Sequence, residues 1–162
     1  MNVVSLGGVT VGTGILVLTG IRWWHRDKRR TAALVPFLLS AAYGMLLILS
    51  AGGLLGAIAG ITLWGSNGLG DLALVWGVGG GTPDVTRSKQ MALSDGGHAV
   101  VVLLTLALYG LWRWANKVPN AALGTGAVAG ISLGLSGSVA GIAAVPLASA
   151  ANLLGLGLTA LL

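Results

Sequence analysis

The chain has no cysteine, which excludes disulfides, thiolate metal sites and cysteine nucleophiles. Charge is nearly as scarce. Only 8% of the 162 residues are charged and 55% are hydrophobic, with mean hydropathy +0.90. A soluble domain carries about 25% charged residues, so this composition cannot cover a globular surface with polar groups. Missing too is any Asp, Glu, Lys, Arg or His near the centre of a long apolar segment. Such groups mark proton relays, ion coupling and voltage sensing. Serines abound, but no segment offers a histidine base or an aspartate pair beside them, which disfavours an intramembrane protease. The expectation is a non-enzymatic protein with no catalytic residue, no cofactor and no metal site.

The chain does have long apolar runs, enough for about four passages of roughly 20 residues each. The expected fold class is all-α, a polytopic transmembrane helix bundle of four to five spans forming one membrane domain over residues 1–162. The net charge of +5 resembles a nucleic-acid signal until its location is considered. Five of the nine basic residues lie between Arg22 and Arg30, beside an apolar run. That is a topology signal, and nucleic acid is not expected as a direct ligand.

The first span is expected over about residues 3–21. It meets Arg22, Trp23, Trp24, His25, Arg26, Asp27, Lys28, Arg29 and Arg30. A cleaved signal peptide carries its positive charge before the apolar region, whereas this segment carries it after. The N-terminus is therefore expected outside, with a basic cytoplasmic loop at 22–31 and the two tryptophans in the interfacial belt. A second apolar run, residues 31–64, would be about 51 Å long as one straight helix, well beyond a hydrocarbon core of roughly 30 Å. One long span over about 33–60 is expected, because Ser50-Ala51-Gly52-Gly53 is a poor polar turn.

Residues 65–97 carry turn chemistry and three of the four acidic residues, Asp71, Asp84 and Asp95. They read as an external loop in which the apolar stretch 69–78 lies on the bundle or the membrane surface. The next span is expected over 98–114. Its end, Trp112, Arg113 and Trp114 followed by Lys117, is a second cytoplasmic border that agrees with the first. From Pro119 onward there is no charged residue. The 42 residues after Asn120 fit one pass with an interfacial tail, or a hairpin of two passes over 121–138 and 143–162. Ser136-Gly137-Ser138 and Pro146 are the candidate breaks. The hairpin puts the C-terminus in the cytoplasm.

Three glycine runs recur at helical spacing: Gly8/Gly12, Gly52/Gly56/Gly60 and Gly126/Gly130/Gly134. Residues four apart share a helix face, so each run makes a groove where another backbone can approach closely. In water each glycine would weaken a helix by about 1 kcal/mol relative to alanine, whereas a bilayer favours helix regardless. Two uses are open: packing within one chain's own bundle, or self-association of copies into a ring. Leu133 is expected to face away from Gly130.

Other constellations are weak. His25 reads as an interfacial loop histidine. Asp95 and His98 are close in sequence, but two ligands do not make a metal site, and Asp95 reads as the cap of its helix. Gly79-Gly80-Gly81-Thr82 lacks the lysine and hydroxyl of a nucleotide-binding loop.

The chain resembles the proteolipid c-ring of rotary ATP synthases in being small, apolar and rich in Gly and Ala, but it has no membrane carboxylate. The Ala/Gly/Leu/Val-rich style, scarce Lys and Phe and Trp-Arg membrane borders also resemble small multi-pass membrane proteins of actinobacterial mobile elements, plasmid-spread and phage membrane proteins among them. That resemblance covers layout and no residue motif. It implies an accessory or pore-type role in transfer across the cell envelope, with the lipid bilayer, further copies or other membrane subunits as partners. A holin-like lesion former and a structural anchor of a larger complex are the alternatives.

Overall fold

The computed structural model describes residues 4–50, 52–85, 93–114 and 120–161, with the backbone alone for residues 111 and 137–142. Among these residues the fold is all-α: six helices and no strand. Helix α1 spans Leu6–His25 and is capped by Ser5, whose hydroxyl accepts from the Gly8 amide at 3.2 Å. The cap satisfies one of the amide donors that a helix start leaves free. Arg22 and His25 sit in the last turn of α1, where cations complement the helix dipole.

A tight turn leads into α2, Thr31–Leu49, which carries Pro36 inside it. The expected continuous span over 33–60 is not formed. The chain breaks after Leu49 and restarts as α3, Gly53–Leu72, which ends in a wide π turn at Ala73–Gly77. The break has a local cause. The Ser50 amide bonds back to the Leu46 and Leu47 carbonyls, and its hydroxyl donates to Leu46 at 3.2 Å. Gly53 then takes φ +72°, a left-handed value that residues with a Cβ rarely adopt. Residues 65–77, expected in an external loop, are therefore helical.

Helix α4 spans Asp95–Trp114, α5 Asn120–Leu133 and α6 Gly137–Ala160. The break between the last two falls at 134–136, where both the amide and the hydroxyl of Ser136 bond to the Leu133 carbonyl. Pro146 lies inside α6 and does not divide it. The expected 121–138 span thus stops at Leu133.

Helix α5 is the hub. Its most extensive contact is with α2, which runs parallel to it, and it also packs against α1 and α3. Helix α3 starts where α2 ends and finishes against the start of α1. Both points lie at the C-terminal end of α5, so α3 returns to the end of the layer where it began. A second unit is the α4/α6 pair, joined through Gly96 and Gly155. The hairpin alternative placed the start of α4 and the C-terminus on opposite faces of the membrane. The Gly96–Gly155 contact instead puts the end of α6 beside the start of α4.

Four helical segments are long and apolar enough to cross a membrane: α1, α2, α4 and residues 143–160 of α6. Helix α5, with 14 residues, is about 21 Å long and shorter than a hydrocarbon core. Large apolar side chains face outward along the spans and α3; Leu18 is 68% exposed and Trp64 78%. Such a belt is costly in water and suited to hydrocarbon.

Candidate helix-packing and interface sites

The glycine run of α5 lies along α2. A Cβ on Gly130 would collide with the Ala41 carbonyl and stand 2.9 Å from the Ala41 Cα. One on Gly126 would meet the Phe37 carbonyl and the Ser40 hydroxyl, and one on Gly134 would come within 2.7 Å of Ile48 Cγ2 and 3.2 Å of Met45 Cα. The contacts advance together along both helices, four residues at a time, as a parallel small-residue seam requires. Gly44 of α2 answers from the other side, where a Cβ would lie 3.1 Å from Ile131 N. Ser40 adds a hydroxyl bond to the Phe37 carbonyl at 3.0 Å and a longer one to Ala122 across the seam at 3.4 Å.

The other runs are divided. Gly8 meets the Asn67 side chain of α3, and Gly12 meets Leu133 of α5, with 2.7 Å from a built Cβ to Leu133 Cγ. Leu133, three residues on from Gly130 and so on a neighbouring face of α5, is buried against α1. Next to it Ser132 is fully buried, and its hydroxyl has no hydrogen-bond partner among the described residues. Gly52 is exposed with nothing within 4 Å, Gly56 is buried in α3, and Gly60 is half-buried. The 52/56/60 run is thus not one continuous contact face, because Gly52 precedes the helix.

Two close approaches were not apparent as runs. Gly7 packs on Gly70 and Asp71, and Gly96 packs on Gly155, with 2.8 Å from a built Cβ on Gly96 to the Gly155 Cα. Each helix contributes a single glycine to such a crossing, so no four-residue repeat reveals it.

At the basic end, Arg22, Trp24, Arg26, Lys28, Arg29 and Arg30 are exposed and Trp23 is half-buried. Lys28 and Arg29 adopt φ of 48° and 59°, costing about 1–3 kcal/mol each unless the surroundings hold them. They are held: the Arg29 guanidinium lies 3.4 Å from the Trp24 ring centroid, and Trp23 Nε1 donates to the Arg30 carbonyl at 2.9 Å. At the second border Trp112, Arg113 and Trp114 are exposed in the last turn of α4, and Trp112 lies 6.0 Å from the Tyr109 ring. Lys117 lies outside the described residues.

The opposite end of α1 is tied by polar contacts. The Ser5 hydroxyl donates to Asp71 at 2.8 Å and its amide to Asn67 at 3.3 Å. Ser5 also pairs with Asp84 in an isolated antiparallel bridge, with Leu6 N to Pro83 O at 3.0 Å and Val85 N to Val4 O at 2.9 Å. At the start of α4 the cap is Ser94 rather than Asp95: its hydroxyl accepts from Gly97 N at 3.1 Å. The same hydroxyl reaches Asn152 of α6 at 3.1 Å, and His98 Nδ1 lies 2.9 Å from the Ser94 carbonyl. Among the described residues, no three His, Cys, Asp or Glu side chains gather as a metal site would need.

No protein-family model matches the chain, and neither a curated protein nor a solved structure was found to be similar to it.

Proposed function

We propose that this protein is a non-enzymatic, multi-pass membrane scaffold, an accessory subunit that holds other components of an envelope machinery in the bilayer. The observation that carries this reading is the seating of Gly126, Gly130 and Gly134 on α2 of the same chain. A ring of copies needs its small-residue faces free for the next copy. Here Gly126 and Gly130 of α5, and Gly134 just past its end, are already covered by α2 of the same chain. Among the described residues the charged side chains and the histidines lie at helix ends and in turns, where they mark borders, which fits an anchoring role. By the positive-inside rule the N-terminus is outside and the turn at 26–30 is cytoplasmic. The resemblance to membrane proteins of mobile elements supplies the setting: movement of DNA or protein through the envelope, with the bilayer and other membrane subunits as direct partners.

One observation favours the alternative of a self-assembling pore or lesion. Among the described residues, nothing lies within 4 Å of a Cβ placed on Gly14 of α1 or on Gly65 and Gly68 of α3, and Trp64 and Leu69 are exposed. Reconstitution separates the two. Full-length protein in dye-loaded phosphatidylcholine/phosphatidylglycerol liposomes is expected to release no dye and to have monomer mass in detergent. Release rising steeply with protein-to-lipid ratio, together with a discrete oligomer, would replace the scaffold by a pore.

A further inference from the structure

A cleft of about 470 Å³ opens between the last turns of α1, the first turns of α2 and the start of α5. It exists because α1 and α2 both pack on α5 and hardly touch each other. Its lining is mostly apolar and drawn from three helices, with Ile15 of α1, Phe37 of α2 and Ala122 of α5, and with the hydroxyls of Thr19 and Thr125 among them. Arg22, Trp23 and Asp27 line it where α1 gives way to the basic turn. Ile15 and Arg22 are seven residues apart, about 10 Å along the helix. The cleft therefore changes from largely hydrocarbon-like to charged, with Arg22 and Asp27 at its mouth, over the distance that separates an acyl chain from a headgroup.

The charge around this mouth is one-sided. Arg22 and Asp27 are the charged residues of the lining itself, and Arg26, Lys28, Arg29 and Arg30 lie in the turn that follows α1, giving the segment from Arg22 to Arg30 five cations against one carboxylate. The turn that carries them is pinned, with Arg29 over Trp24 and Trp23 bonded to the Arg30 carbonyl. Left-handed backbone at Lys28 and Arg29, uncommon for residues with a Cβ, makes the turn that follows Asp27 a tight one. Apolar walls between membrane helices favour hydrocarbon over water. A basic pocket at the border of such helices favours an anionic headgroup.

We propose that this cleft binds an anionic phospholipid of the surrounding bilayer, its phosphate at Arg22 and one acyl chain along Ile15, Phe37 and Ala122. The inference rests on the membrane placement of α1 and α2 and is independent of the scaffold reading; dye release would overturn that reading and leave this one standing.

Native mass spectrometry of the full-length protein in detergent tests it, with phosphatidylglycerol, phosphatidylcholine or inorganic phosphate added. The wild type is expected to retain one phosphatidylglycerol in preference to phosphatidylcholine, and inorganic phosphate is expected not to displace it. Arg22→Gln should weaken retention about fivefold, the loss expected for one cation beside an anionic headgroup. Ala122→Phe fills the apolar part and should remove the lipid without touching any charge, while Arg113→Gln, outside the cleft, should change nothing. Circular-dichroism melts check the fold of each variant; if Ala122→Phe unfolds, the exposed Arg22 decides alone. Equal retention of the two lipids, or undiminished phosphatidylglycerol on Arg22→Gln, overturns the proposal. Displacement by inorganic phosphate would mean a free-anion site instead and overturns it equally.

Discussion

Gly130 of α5 sits so close to Ala41 of α2 that no side chain fits between them; a Cβ would take the place of the Ala41 carbonyl. Two backbones meeting this way gain dispersion contacts along the whole seam. Gly130→Leu must force them apart, and overpacking of this kind typically costs about 1–3 kcal/mol. Gly124, on the same helix with nothing within 4 Å, is the control. A thermal melt in detergent should show Gly130→Leu clearly lowered and Gly124→Leu close to wild type. Equal effects would mean that the seam is not where stability resides.

The α4/α6 pair offers a parallel comparison two residues apart. Gly155 meets the backbone of Gly96, whereas Gly157 has open space. Gly155→Leu is expected to destabilise by about 1–3 kcal/mol, and Gly157→Leu to be tolerated. Hydrogen exchange reads the difference locally: amides of the first turns of α4 should lose protection in the first variant only.

The borders of α1 and α4 were legible because tryptophans and arginines mark them chemically: Arg22 to Trp24 in one, Trp112 to Trp114 in the other. The break between α2 and α3 was not, because nothing in residues 50–53 is a polar turn. It is made by backbone geometry, with Ser50 folding its bonds back onto Leu46 and Leu47 and Gly53 supplying a left-handed step. The seam was legible only in half. Gly126, Gly130 and Gly134 announce a groove, but a groove does not name its occupant. The occupant, α2, contributes carbonyls at Phe37 and Ala41 rather than a matching glycine repeat. Gly96 and Gly155 escaped notice because a crossing at one point leaves no period to read.

The positive-inside rule applied to the basic turn makes the orientation testable. Cysteine can be introduced freely into a chain that has none, and Lys28 and Gly81 are both exposed at sites outside the helices. In intact cells a membrane-impermeant maleimide is expected to label Gly81→Cys and to leave Lys28→Cys unlabelled until the membrane is opened. The opposite pattern would invert every helix and place the cations outside.

The most direct measurement asks whether the α2/α5 seam forms within one chain. Across it the Ser40 hydroxyl approaches the Ala122 backbone carbonyl at 3.4 Å. Ser40→Cys and Ala122→Cys in one chain, treated with a short thiol-to-thiol crosslinker in native membranes, should give an internally linked species at monomer mass. Two differently tagged chains, each with one of these cysteines and expressed together, should give no mixed dimer. A mixed dimer as abundant as the internal link would contradict the internal seam, and the glycine run would then belong to an interface between copies.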